Sequence, residues 1–217
     1  SLLMSIVLLI GLNLASRHYG PEPVAAYGNL VQAILYKDSG QPEKAAEHFW
    51  LALQSNPDSP LANFNLGELE RNRGNYSAAV EYYLRENEIR PHYQTYRGLG
   101  ICYREMGLHE KSVEAFNQAH IMNPEDQYVR LAYAEEIGEL ALASFEQQEW
   151  TLASERFLEA QAIAPENPFF VFGYAGAIWA MGEHEKADSL MIDLQSKHPD
   201  FIPAQQWVEE KWRPLDQ

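Results

Sequence analysis

The sequence predicts an all-α chain of stacked helix–turn–helix units, closed by a C-terminal capping helix and preceded by part of a membrane-spanning helix. Three observations predict it. Pro57, Pro91, Pro124, Pro165 and Pro199 recur at gaps of 34, 33, 41 and 34 residues. Small and aromatic residues return at constant offsets before each proline. Leu2–Ala15 is an apolar run without a charge. The 217 residues suffice for one large domain or two small ones. With 16 Lys and Arg against 31 Asp and Glu, the net charge is −15. That excludes a general nucleic-acid binder, which needs basic surface against phosphates, and a polybasic lipid patch. At 46% hydrophobic and 12% aromatic residues, the chain is no disordered acidic tail. One cysteine, Cys102, allows neither an intramolecular disulfide nor a thiolate metal cage.

The first element is the run LLMSIVLLIGLNLA, at positions 2–15. As a helix it reaches about 21 Å, short of a hydrocarbon core of about 30 Å. The chain starts at Ser1 and reads as the tail of something longer, so residues 1–16 are expected to be a truncated transmembrane helix. A signal peptide fits less well, because Asn13 sits poorly before a cut after Ala15. A lipoprotein anchor is excluded, since no cysteine follows the run. A helix buried in a soluble core would show a polar face, and this run shows none. Arg17 and His18 mark the exit, and residues 17–23, with Gly20-Pro21-Glu22-Pro23, read as a short stiff linker. One arginine does not set the orientation.

The repeats follow in register. Twenty-four residues before each proline stand Ala33, Gly67, Gly100, Ala141 and Ala175. Seventeen before stand Gly40, Gly74, Gly107, Gln148 and Gly182; twelve before, Ala45, Ala79, Ser112, Ala153 and Ala187. Eight before stand Phe49, Tyr83, Phe116, Phe157 and Met191. The small residues let two helices approach, and the ring fills the space beside them. The glycines end the first helix of a unit in the left-handed region, and the prolines stop the second helix or begin the next. One unit cannot bury its own apolar face, so the units stack.

This pattern resembles the tetratricopeptide repeat over about residues 24–200. The third copy carries it best, with Tyr96, Leu99, Gly100, Tyr103, Gly107, Phe116, Ala119 and Pro124. The resemblance implies a right-handed α-solenoid domain over 24–217. Its repeats are expected at about 26–59, 60–92, 93–125, 126–167 and 168–200, with a cap over 201–217. The fourth unit is seven residues longer than the others, close to two helical turns. One extended first helix, about Asp126 to Gln147, is therefore expected. Ile202–Lys211 reads as the final solvating helix.

Three departures from the pattern stand out. Glu70 and Ser144 occupy a position held by Tyr36 and Tyr103 in other copies. Glu86 stands where Ala52, Ala119 and Ala160 are small. A carboxylate there is expected to reach solvent or find a cation, for which Arg97 is a candidate.

No catalytic signature, metal site or cofactor motif is present. His109 and His184 each open a His-Glu-Lys triplet, but Val113 and Asp188 stand where a zinc helix places its second histidine. Recurrence at one repeat position points to a role at helix starts. Cys102 reads as a packed thiol. Asn75-Tyr76-Ser77 fits a glycosylation sequon, a pattern too short to carry weight alone. Nine acids between Glu125 and Pro165 face only Arg130 and Arg156, and read as a solvated acidic face or a dock for a basic partner.

In solenoids of the resembled family the first helices line a concave face that takes partner segments. By repeat position that face would include Tyr27, Phe64, Asn65, Arg71, Arg97, Arg104, Phe169, Phe172 and Trp179. The three arginines would form a basic patch for an acidic or C-terminal carboxylate segment, with aromatics as anchors. The alternative is that they pair with Glu68, Glu70 and Glu105 on exposed faces. The family's chaperone-tail clamp is not expected, because Leu30, Ile34, Gln94 and Gly98 fill its positions and only Asn65 fits. The expected function is a membrane-tethered, non-catalytic scaffold for a protein or peptide partner. It would be membrane-associated, with the repeats in an aqueous compartment, the periplasm ahead of the cytoplasm. The alternative is the C-terminal module of a polytopic membrane enzyme such as a bacterial glycosyltransferase, to which the layout is similar. A soluble hydrolase would need a nucleophile, base and orienter, and the sequence offers no such set.

Overall fold

A computed structural model describes residues 21–59 and 61–212. The apolar run at Leu2–Ala15, expected as part of a transmembrane helix, lies outside the described residues. Among the described residues no helix is long and apolar enough to cross a membrane. They form eleven helices and no strand. In chain order these are α1 (Pro21–Asp38), α2 (Pro42–Ser55), α3 (Ala62–Asn72), α4 (Tyr76–Ile89), α5 (Tyr93–Glu105), α6 (His109–Met122), α7 (Gln127–Glu146), α8 (Trp150–Ile163), α9 (Pro168–Ala180), α10 (His184–Lys197) and α11 (Ile202–Trp212). The chain divides into two compact units, residues 1–106 with α1–α5 and residues 107–217 with α6–α11. Within each unit every helix packs on its chain neighbour, and the first helices of successive repeats also meet, α3 with α5 and α7 with α9.

Helix α1 begins at Pro21, inside the stretch expected as linker. Prolines are at ease in a first helical turn, where the missing N–H has no intrahelical partner anyway.

The turns between paired helices share one chemistry. Gly40, Gly74, Gly107 and Gly182 all have φ between 70° and 92°. At Gly74, its N–H bonds Arg71 O at 3.0 Å and the Asn75 N–H bonds Glu70 O at 2.9 Å, closing the last turn of α3. Gln148 fills the same place after α7 at φ 63°, with the matching bonds to Phe145 O and Ser144 O. A side chain costs about 1–2 kcal/mol in that region, against a glycine entropy cost of about 0.5–1 kcal/mol. Gln148→Gly is therefore expected to stabilise the second unit by up to about 1 kcal/mol, read as a raised urea midpoint.

The core follows the repeat frame. Phe49, Tyr83, Phe116, Phe157 and Met191 are fully buried, as are Ala45, Ala79, Ser112, Ala153 and Ala187. Two of these rings, Tyr83 and Phe157, lie against glycines of first helices. A Cβ on Gly67 would stand 2.7 Å from Tyr83 Cε1, and one on Gly98 would stand 2.6 Å from Tyr83 Cζ. In the second unit a Cβ on Gly173 would meet Phe157 at 2.4 Å, and one on Gly138 would meet Phe170 at 2.8 Å. Gly98 and Gly173 share one offset, 26 residues before Pro124 and Pro199. The offsets read from the sequence pass over this contact, although the two glycines in register were its signal.

Each departure from the pattern has a local solution. Glu86, 1% exposed, neither reaches solvent nor takes Arg97 as its hydrogen-bond partner; it caps a helix. Leu61, the residue before α3, sits at φ 60° and has no side chain able to cap. Glu86 Oε1 accepts the Leu61 N–H at 3.2 Å and Oε2 accepts the Phe64 N–H at 3.3 Å. A carboxylate from α4 thus accepts two N–H groups at the start of α3, where the helix dipole also favours a negative charge. Buried Ser144 leaves room that Arg156 fills, donating to Ser144 Oγ at 2.5 Å and Leu140 O at 2.9 Å. Glu70 turns outward, to Arg73 at 2.6 Å and Asn75 Nδ2 at 2.7 Å.

The long first helix of the fourth repeat is α7, of 20 residues, with the Asp126 side chain accepting the Val129 N–H at its start. Arg130 ties this end to the end of α8, donating to Ile163 O and pairing with Glu166 at 2.6 Å. Helix α11 covers the far end of the second unit. Its Trp207 donates to Asp188 at 3.0 Å and packs in a cluster with Ala175, Ile178, Met191 and Leu194.

Candidate partner-binding face

The first helices of unit 1 carry six of the residues expected on a binding face. Tyr27 lies on α1 and is 53% exposed. Phe64 and Asn65 lie in the first turn of α3, Arg71 in its last turn, and Arg97 and Arg104 on α5. Phe64 is half-buried, its ring centroid 6.1 Å from that of Tyr83. Asn65 is buried, and its amide is engaged: Nδ2 donates to Leu61 O at 2.7 Å, and Oδ1 accepts from Lys37 Nζ at 2.8 Å.

Arg71 belongs to a network with Glu68 and Tyr83. Its Nη2 donates to Glu68 Oε2 at 2.8 Å, and the Tyr83 hydroxyl donates to Glu68 Oε1 at 2.5 Å. Residues 68 and 71 are one helical turn apart, so α3 presents them side by side. Tyr83 reaches them from α4 because its ring lies between Gly67 and Gly98. Arg71 is thus paired with Glu68 on its own helix.

The electrostatics follow. Burial pushes the Glu68 carboxyl up, but the Arg71 and Tyr83 hydrogen bonds and the charges of Arg71 and Arg97 outweigh it and hold it below the ordinary value. The Glu68 hydrogen bond raises Arg71. Burial, and then the bond to Glu68, raises the Tyr83 phenol. Burial foremost pushes the Cys102 thiol up to about 12, so it stays a neutral packing group.

A carboxyl held low in the folded state stabilises it above the unfolded carboxylate range. That contribution is lost as pH falls through its folded value. Glu68→Gln is therefore expected to lose less stability than the parent between pH 7 and pH 3. Urea midpoints at the two pH values measure the difference.

Phe169, Phe172 and Trp179 lie on α9, in unit 2. Phe169 is 36% exposed and meets Phe157 and Phe170 edge to face. Phe172 and Trp179 are half-buried because α11 and the turn before it lie over them. Phe172 packs on Phe201 and Trp207, and Trp179 on Trp207 with centroids 5.3 Å apart. The two helix-start histidines each meet a neighbouring first helix: His109 Nδ1 lies 3.0 Å from Glu136 of α7, which is 1% exposed, and the His184 ring lies 4.0 Å from that of Trp179 on α9, tilted by 54°. Among the described residues no group of three metal-ligating side chains comes together.

Helix pairs closed by left-handed turns, with the Tyr83 and Phe157 rings seated on glycines of first helices, define a helical-repeat fold. Residues 30–93 match the tetratricopeptide repeat family profile. Among solved structures, YrrB, described as a tetratricopeptide-repeat protein with an unusual peptide-binding site, is similar at TM-score 0.60 and 14% identity. The match covers 91% of this chain and 97% of that one. A tetratricopeptide-repeat protein of Bacteroides fragilis is similar at TM-score 0.61 and 13% identity, over 85% of this chain and 96% of that one. Identities this low show the fold alone. In sequence, the CTR9 homolog of Arabidopsis thaliana is 26% identical over 136 residues, 60% of this chain. The chain spans 12% of that relative's length.

Proposed function

We propose that the chain is a non-catalytic interaction module, held at a membrane through Leu2–Ala15. The first helices α3 and α5 of unit 1 would take a partner segment bearing an acidic or C-terminal carboxylate group. The carrying observation is the arginine cluster on α3 and α5. Glu68 holds Arg71 in place, while the charge of Arg97 acts on the same carboxylate. Arginine held in advance grips a carboxylate with less loss of rotamer freedom. Phe64 supplies half-exposed apolar surface on α3 beside it. The likeness in fold to a protein described as having a peptide-binding site supports the same reading.

The test is an array of peptides with free or amidated C-termini, probed with the full chain in detergent. Free carboxylates next to apolar residues are expected to be selected. Arg97→Glu and Arg104→Glu are each expected to weaken binding about tenfold or more, the scale of one charge-assisted contact. Arg71→Glu is unsuited to the purpose, because it also breaks the network behind Tyr83. Equal binding of amidated peptides, or indifference to both reversals, would sink the reading.

A further inference from the structure

Helix α1 carries an outward side unlike that of any charged surface helix in the chain. Ala26, Leu30 and Ala33 are buried against α2. On the other side Tyr27, Ile34 and Leu35 are 53%, 37% and 48% exposed, with Val24 and Val31 half-buried among them. These positions follow helical spacing, so they form one apolar seam. From Pro23 to Tyr36 there is no charged residue at all. Residues 1–36 carry only Arg17 and Glu22 and sum to zero, so the whole −15 lies in residues 37–217. A solvated helix face in so acidic a chain would be expected to share those charges. The far end of the second unit is treated differently, since α11 covers the aromatics of α9 there.

We propose that this uncharged side of α1 rests on the bilayer, in the headgroup region beside the point where Leu2–Ala15 enters it. The inference rests on the tether reading given above. Ser16–Gly20 is all that separates the apolar run from α1. Five residues reach at most about 17 Å, which keeps the start of α1 close to the polar layer. Tyrosine and aliphatic side chains suit shallow insertion, with Tyr27 at headgroup level. Excluding acids from this stretch avoids repulsion by anionic lipid, and the charged remainder faces water. The contact asks nothing of basic residues, so it should hold on zwitterionic lipid.

The experiment reconstitutes the full chain into phosphatidylcholine vesicles. A spin label is carried at Leu35→Cys in a Cys102→Ala background, with Glu114→Cys on α6 as the aqueous control. Co-flotation with the vesicles reads the tether. Collision rates with oxygen and with a water-soluble nickel chelate read the depth of the label. The expected result is co-flotation, with the label at 35 gaining oxygen and losing nickel collisions severalfold while the label at 114 stays as it is in detergent. If the chain does not float, the tether and the seated helix both fall. If it floats but position 35 remains as open to nickel as position 114, the tether stands and this inference falls. Dipolar broadening between labels at 35 would show a second copy covering the seam, and would overturn the lipid assignment.

Discussion

Replacing Glu86 with alanine is expected to destabilise the first unit by about 3 kcal/mol. The carboxylate accepts the N–H groups of Leu61 and Phe64 and is 1% exposed. Removing it leaves two donors at the start of α3 without an acceptor, at about 1–3 kcal/mol for each donor that water fails to reach. It also leaves a cavity where the side chain lay. Leu61, at φ 60°, cannot substitute as a cap. Glu86→Gln keeps the volume and one acceptor oxygen, but turns an NH₂ toward an N–H, and should cost about half as much. Urea unfolding gives the total. Hydrogen exchange at the Leu61 and Phe64 amides gives the local term, which should rise well above that of amides in the middle of α3. Unchanged exchange at both would show that Glu86 is a passenger.

Gly173→Ala is expected to cost about 2–3 kcal/mol, while Gly176→Ala on the same helix is expected to stabilise slightly. Alanine improves helix propensity by about 1 kcal/mol at either site. At Gly173 the new Cβ would stand 2.4 Å from Cε1 and Cζ of Phe157, a fully buried ring with no room to retreat. Overpacking of that kind costs about 1–3 kcal/mol or more and exceeds the propensity gain. At Gly176 the nearest atoms, in the Phe145 ring, are 3.7 Å and 3.9 Å away, an ordinary contact. Opposite signs three residues apart cannot come from propensity. A Phe157→Leu partner should recover part of the Gly173→Ala loss in a double-mutant cycle, because the shortened side chain makes room for the methyl group. Thermal unfolding of the four proteins decides it, and additive losses would argue against the ring contact.

These two predictions lie at different distances from the sequence. The ring on its glycine is almost legible there. Phe157 is one of the residues repeating eight positions before the prolines, and Gly173 shares its offset with Gly98. A repeat makes such contacts periodic, so register alone brings them into view. The cap formed by Glu86 is not periodic. In the register it appears only as an acid where alanine is usual, and the electrostatic rule that it needs a cation is incomplete. A carboxylate is satisfied equally by backbone N–H groups at a helix start.

The candidate face divides in the same way. Its residues were placed on first helices by their offsets, and α1, α3, α5 and α9 carry them. What each side chain does there depends on neighbours far along the chain. Asn65 is engaged by Lys37, 28 residues away, and Arg71 lies in a network completed by Tyr83 of the next helix. Phe172 and Trp179 read as anchor aromatics by position, yet Trp207 of the capping helix lies over them.

The sequence by itself determined the helix pairs, the turns at positive φ, the buried rings and small residues, and the long first helix of the fourth repeat. All of these depend on local backbone preference and on a period that recurs five times. The tertiary structure decided which groups are satisfied and which surfaces stay open: the cap made by Glu86, the arginine seated beside Ser144, the engaged amide of Asn65, the covered face of α9 and the bare side of α1. Those outcomes depend on which atoms meet across space, and a side chain's nearest polar partner is chosen by packing between helices.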